Sequence, residues 1–175
     1  MADTKKANAN AKGLTGMLVD GLKDIYYAEK KILKALPKMA RSADDQQVSA
    51  AFEKHRTETE AQVERLEEVF DILGVAARGK TCPAIDGILE EGAEILDEYK
   101  GLPSLDAGLV GAAQAVEHYE IARYGTLIAW ANSLGRDDIV ELLKATLREE
   151  KATDEALTSL GEGGVNDRAA EQQAA

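Results

Sequence analysis

At 175 residues the chain has the length of a single domain with enough material for a sizeable core, and 45% hydrophobic with 30% charged residues is the balance of a soluble globular protein. A net charge of −11 removes the basic footprint that direct nucleic-acid binding needs and makes metal cations the favoured charged partners. The single cysteine, Cys82, excludes an intrachain disulfide and any Cys-rich zinc site.

Residues 1–13 read as a disordered polar arm: lysines without an apolar run behind them do not make a secretory signal. The first long helix is expected from about Leu14 to Arg41, with Pro37 kinking its last turn. Ser42 is the expected N-cap of a second helix reaching Leu73, where Gly74 takes the C-cap role. A link over 75–83 leads through Pro83 into a short helix ending near Tyr99, whose apolar side is Ile85, Ile88, Leu89, Ile95 and Leu96. Gly101 and Pro103 break it. Ser104 caps a third long helix to Leu134, Gly135 stops it, and Asp137 caps a fourth to about Leu160. Residues 161–175 read as a flexible tail.

Short links make each long pair an antiparallel hairpin, and about 30 residues between the hairpins can cross the bundle. The expected fold is therefore all-α: a ferritin-like antiparallel four-helix bundle over 14–160 with a long crossover containing a short fifth helix. No apolar run approaches the roughly 18 residues of a membrane span, so no membrane is involved and residence in the cytoplasm is the default expectation.

Each long helix carries an apolar stripe at spacings of three and four, and each stripe is interrupted near its middle by carboxylates. The first reads Leu18, Leu22, Ile25, Glu29, Ile32, Leu36, and the second reads Ala51, His55, Glu58, Gln62, Leu66, Val69, Leu73. The third reads Leu109, Ala113, Glu117, Glu120, Tyr124, Leu127, Ala131, and the fourth Val140, Leu143, Leu147, Glu150, Asp154, Leu157. Helices of this length span roughly 40 Å, so antiparallel neighbours place their midpoints at one height. Glu29, Glu58, Glu117, Glu120, Glu150 and Asp154 should share a layer, with His55 beside it. Carboxylates crowded in a core repel and take up protons unless cations bridge them. Oxygen ligands with some imidazole suit iron or manganese, two ions in such a layer.

The stretches LKDIYYAEKKILKALPKMA, FEKHRTETEAQVERLEEVFDILG, AVEHYEIARYGTLIAWA and LLKATLREEKATDEALTSL resemble the ferritin-like stress proteins of the bacterial YciE/YciF type. That resemblance implies a helical bundle with a di-iron-type centre, a homodimer and a link to stress responses. The wider ferritin-like pattern implies Glu29 on the first helix, Glu58 on the second, Glu117 and Glu120 on the third and Glu150 on the fourth, with Glu58 and Glu150 bridging. Where that pattern has a histidine three residues after the second- and fourth-helix glutamates, this chain has Ala61 and Thr153. His55 or Gln62 on one helix and Asp154 on the other are the candidates to fill the gaps.

Competing structural roles exist for each residue. Glu29 could pair with Lys30 or Lys34 at an edge, Glu117 and Glu120 with Arg123, and Glu150 could lie in a solvated turn within REEK. His118 points off the stripe, Tyr124 is placed to hydrogen-bond near a metal, and Cys82 has no partner motif. Metal oxidation or peroxide consumption during stress is the leading function, with no catalytic residue assignable. The rivals are a non-enzymatic helical protein whose metal-free polar layer fixes register or dimerisation, and passive metal storage.

Overall fold

The computed structural model describes residues 13–173, so the N-terminal arm up to residue 12 and the last two residues lie outside the described part. Four long helices form the bundle: α1 (Leu14–Ser42), α2 (Gln46–Leu73), α4 (Leu105–Ser133) and α5 (Asp137–Leu160), with α3 (Pro83–Glu98) in the crossover. Among the described residues there is no strand, and no helix is long and apolar enough to cross a membrane.

Local chemistry explains most boundaries. Asp45, not Ser42, caps α2: its Oδ1 accepts from the Gln47 and Val48 amides at 2.7 and 3.3 Å. Ser42 is instead the last residue of α1, which continues helically through Pro37. Gly74 ends α2 at φ 65°, a left-handed conformation that glycine adopts without a Cβ penalty, and the Val75 amide closes the turn on the Phe70 carbonyl at 3.0 Å. Pro83 opens α3 at the position where a missing N–H costs nothing. Ser104 stands at the cap position of α4 without a side-chain capping bond, and Asp137 is the first residue of α5 rather than its cap.

The links set the topology. α1 and α2 form one antiparallel hairpin, α4 and α5 the other, and each helix packs on two others around a closed ring in which α1 also meets α4 and α2 meets α5. The crossover carries the chain back to the end of the bundle where α1 turns into α2: α3 runs alongside α1 in the same direction, with Asp86 near Lys31 and Asp97 near Lys38, and α4 then begins beside the α1–α2 turn. Gly79 in this link lies against the Tyr27 backbone, where an added Cβ would come within 3.3 Å of Cα; only a residue without one fits comfortably. The result is the one-long-crossover arrangement of ferritin-like folds.

Residues 161–173, expected to be a tail, carry regular structure. A widened turn over Gly161–Val165 leads into α6 (Asn166–Gln173); Val165 is buried, and Arg168 pairs with Asp45 at the start of α2. Sequence composition gave little warning, because one buried valine among polar and small residues is a weak helical signal.

The core is apolar above and below the middle of the bundle, with Leu18, Leu22, Leu73, Leu127 and Ala131 towards one end and Leu36, Phe52, Leu109 and Leu157 towards the other, all buried. Burying each of these leucines and the phenylalanine is worth about 1.5–3 kcal/mol, enough to force the helices together around whatever lies between.

Candidate metal centre

The middle layer is polar and closed off from the surface. Glu29 of α1, His55, Thr59 and Gln62 of α2, Glu117 and Glu120 of α4, and Thr146, Glu150 and Thr153 of α5 are all buried. The apolar stripes put them there: each occupies a core-facing position flanked one turn away by residues the core requires, such as Ile25 and Ile32 around Glu29. The structure thus excludes the surface pairings open to these residues. Glu29 meets no lysine, Glu150 is fully enclosed, and Arg123 turns away from Glu117 and Glu120 to reach Asp24 at 3.4 Å.

His55, Glu117, Glu120 and Glu150 each offer a ligand atom within 4.8 Å of the others. His55 Nδ1 lies 3.1 Å from Glu117 Oε1 and its Nε2 lies 3.8 Å from Glu150 Oε2. Glu29 joins from the α1 side and accepts a hydrogen bond from the Tyr124 hydroxyl, the polar contact its stripe position suggests for that tyrosine. Nine buried side-chain atoms in this layer have no hydrogen-bond partner: Glu29 Oε2, His55 Nε2, Gln62 Oε1 and both oxygens of Glu117, Glu120 and Glu150. A buried polar group left unpaired costs about 1–3 kcal/mol; ionised, these groups all carry that cost, and protonation relieves part of it by letting Glu117 share a proton with Glu150 and Glu120 with Glu29.

The electrostatics follow from that crowding. Burial, then the charge of Glu150, pushes the carboxyls of Glu29 and Glu117 up; burial and the charges of Glu29 and Glu150 do the same to Glu120. Glu150 is raised as well, again by burial first. Burial, helped by the Lys54 charge, pulls the His55 imidazole down to about 4, so near neutral pH it is an uncharged nitrogen donor. Protonated carboxyls and a neutral imidazole are what such a layer adopts without a counter-charge, and cations would displace those protons.

Two expected ligands stand at the rim. Glu58 is half-buried, ion-paired with Lys54, and takes a hydrogen bond from the Thr153 hydroxyl at 3.4 Å. Asp154 is likewise half-buried, 3.3 Å from the exposed His118. The reason is a helical register ambiguity. Both 55–58–62 and 55–59–62 satisfy spacings of three and four; the structure points Thr59 inward, leaving Glu58 about 100° further round the helix. On α5 the same choice goes to Thr153 over Asp154. The buried threonines of this layer went unrecognised in the sequence because a threonine carries no charge to mark it.

Outside the layer, Arg65 of α2 grips Glu149 of α5 through two bonds of 2.9 and 3.0 Å and reaches the Thr146 hydroxyl at 2.6 Å. Gln62 donates to the same Glu149 at 3.2 Å. A carboxylate can only accept, so this contact must come from the amide nitrogen and cannot use its oxygen. Cys82 is buried with its Sγ 3.1 Å from the Tyr119 hydroxyl, which donates to Asp24 at 2.7 Å.

Comparison with known proteins agrees with this architecture. The family model described as Domain of unknown function (DUF892) matches residues 13–170. Protein YciF of Escherichia coli K12 is 41% identical over 161 residues, covering 91% of this chain and 97% of its own. The crystal structure of that E. coli stress protein superposes with a TM-score of 0.84, covering 89% of this chain and 99% of the other. YcfI of Rhodopseudomonas palustris, described as a candidate structural protein, is 49% identical with a TM-score of 0.83, covering 87% and 97%. A Xanthomonas campestris structure at 24% identity and a TM-score of 0.69 shares the fold. The chain belongs to the DUF892 family.

Proposed function

We propose that this DUF892-family bundle is a metalloprotein that holds two iron or manganese ions in its central layer and uses them in redox chemistry during stress. The observation that carries this reading is the set of nine unpartnered buried atoms on one imidazole, one amide and four carboxyl groups. The donors fit the ions: carboxylate oxygens with a single neutral nitrogen suit iron and manganese better than the thiolate-seeking metals. His55, Glu117, Glu120 and Glu150 would hold one ion at their meeting point, and Glu29 would extend the set toward a second, with Glu120 and Glu150 between. The stress assignment of the E. coli relative supports the biological setting.

When bound, the pair would supply the two electrons that reduce peroxide, one from each ion, so that the metal is oxidised in the same step. The chain supplies the surroundings. Apolar residues on both sides keep water from the layer, and Tyr124 holds one Glu29 oxygen, leaving Oε2 as its open acceptor. His55 presents Nε2 without a hydrogen-bond partner. The carboxyls give up protons as cations arrive, so loading acidifies the medium.

Elemental analysis of protein purified without chelator should find about two iron or manganese ions per chain, and Glu117→Ala with Glu150→Ala should lose them while keeping the helical signal. Metal-dependent peroxide loss in the wild type alone would then identify the activity. Metal content near zero after supplying both ions would overturn the reading and favour a protonated layer that fixes helix register.

A further inference from the structure

The seam between α2 and α5 is closed differently at two neighbouring heights. Gln62 faces Glu149 and Glu58 faces Thr153, the pairing expected of antiparallel helices. At the first height Arg65 and Glu149 interlock through two hydrogen bonds, with side chains only 19% and 30% exposed. At the second, Glu58 is held by Lys54, whose side chain is 62% exposed, and by a long 3.4 Å contact from Thr153. One closure is a rigid fork; the other is a flexible surface lysine that water and salt can displace.

What lies behind the weaker closure matters. His55 is one turn before Glu58 on α2, and Glu150 one turn before Thr153 on α5. Because the helices run in opposite directions, those two residues approach the Glu58–Thr153 height from opposite sides, each offset by about 4.5 Å of helix rise. Their side chains meet between, His55 Nε2 to Glu150 Oε2 at 3.8 Å, and those atoms are buried and unpartnered. Glu58 therefore stands laterally beside the point where two open ligand atoms converge, with the buried Thr153 hydroxyl as the oxygen between.

We propose that Glu58 is the capture carboxylate of a lateral passage: it takes a divalent cation from solvent in exchange for the Lys54 ammonium and passes it over Thr153 to His55 and Glu150. The inference rests on the metal-binding reading above and adds the route. It involves no bond chemistry beyond ligand exchange. The net charge of −11 supplies a diffuse attraction for cations, and Glu58 gives it a local end point on this seam. Asp154, the other rim carboxylate, is held by His118 and faces Gln114 of α4 across a different seam.

Stopped-flow absorbance with Co2+ added to the full-length metal-free protein tests this. Glu58→Gln should slow loading about tenfold while leaving the final Co2+ content unchanged, because a focusing charge changes the on-rate. Lys54→Met should load faster than wild type and with a weaker dependence on salt. Glu60→Gln, an exposed glutamate of the same helix paired with Arg56, should match wild type. Equal rates for Glu58→Gln and wild type overturn the route alone, as does slowing by Asp154→Asn in its place. Loss of bound Co2+ at equilibrium in Glu58→Gln also overturns it, by making Glu58 a ligand of the centre. Wild-type protein that takes up no Co2+ brings down the metal reading and the route with it.

Discussion

The central layer and the Arg65–Glu149 seam use the same residue type at nearly the same height and treat it in opposite ways. Glu149 has a guanidinium fork and an amide on it, so its charge is matched within the protein. One residue further along α5, Glu150 is sealed among apolar layers with both oxygens unpaired. A fold able to neutralise the first could have neutralised the second. That it does not, at four glutamates and a histidine together, is the contrast on which the metal-binding proposal rests.

The largest expected effect is on thermal stability. Mn2+ at a thousandfold over its Kd should stabilise the protein by about 4 kcal/mol per site by mass action, a rise in Tm on the order of 10 °C for a chain of this size. The increment should survive in Arg65→Ala and vanish in Glu117→Ala/Glu150→Ala, as calorimetry with and without metal would show. Equal Tm values with Mn2+ and with chelator would break the contrast between the two regions.

Without metal, substitution should sharpen it by sign. Glu120→Leu replaces a buried unpaired carboxyl with an apolar group and should stabilise the chelated protein by about 1–3 kcal/mol. Arg65→Ala strands Glu149 at the seam and should cost about 2 kcal/mol, discounted for partial exposure. Urea unfolding of both variants measures the difference, and a shared sign would show that the two regions are not electrostatically distinct.

The pH dependence should be smaller and equally diagnostic. Glu29, Glu117, Glu120 and Glu150 have folded-state values raised above 4.5, so their contribution is fully present below that pH and is lost as pH rises through the raised values. His55 acts oppositely: lowered from 6.5 to about 4, it favours the fold above 6.5 and loses that contribution as pH falls toward 4. Four groups outweigh one. The layer of the chelated protein should therefore lose stability as pH climbs from about 4.5, and added Mn2+ should offset the loss increasingly toward neutral pH; Tm measured across that range checks both slopes.

Much of this was legible beforehand because its causes are periodic. Apolar stripes and the link lengths gave four long helices, their pairing and the crossover, and the midpoints of Glu29, Glu117, Glu120 and Glu150 do meet in one layer. The failures share a cause too. A stripe fixes spacing along a helix but not which of two adjacent residues faces inward, which sent Glu58 and Asp154 into the layer and overlooked Thr59 and Thr153. The cap of α2 went to Ser42 because serine is a good cap, while Asp45 holds that position beside Asp106. Residues 166–173 looked unstructured because their anchor, Arg168 on Asp45, is a contact across most of the chain's length.

Asp106 sits in the first turn of α4, facing the bend between α1 and α2. Its two oxygens accept the backbone amides of Asp44 and Asp45 at 3.0 and 2.8 Å, joining the two segments. The two hairpins are thereby riveted at the end that holds the α1–α2 turn, opposite the α4–α5 turn. Opening one should drag on the other, so amide deuteration at Asp44 and Asp45 should proceed only with whole-molecule unfolding, whereas Asp106→Ala would let the halves breathe separately.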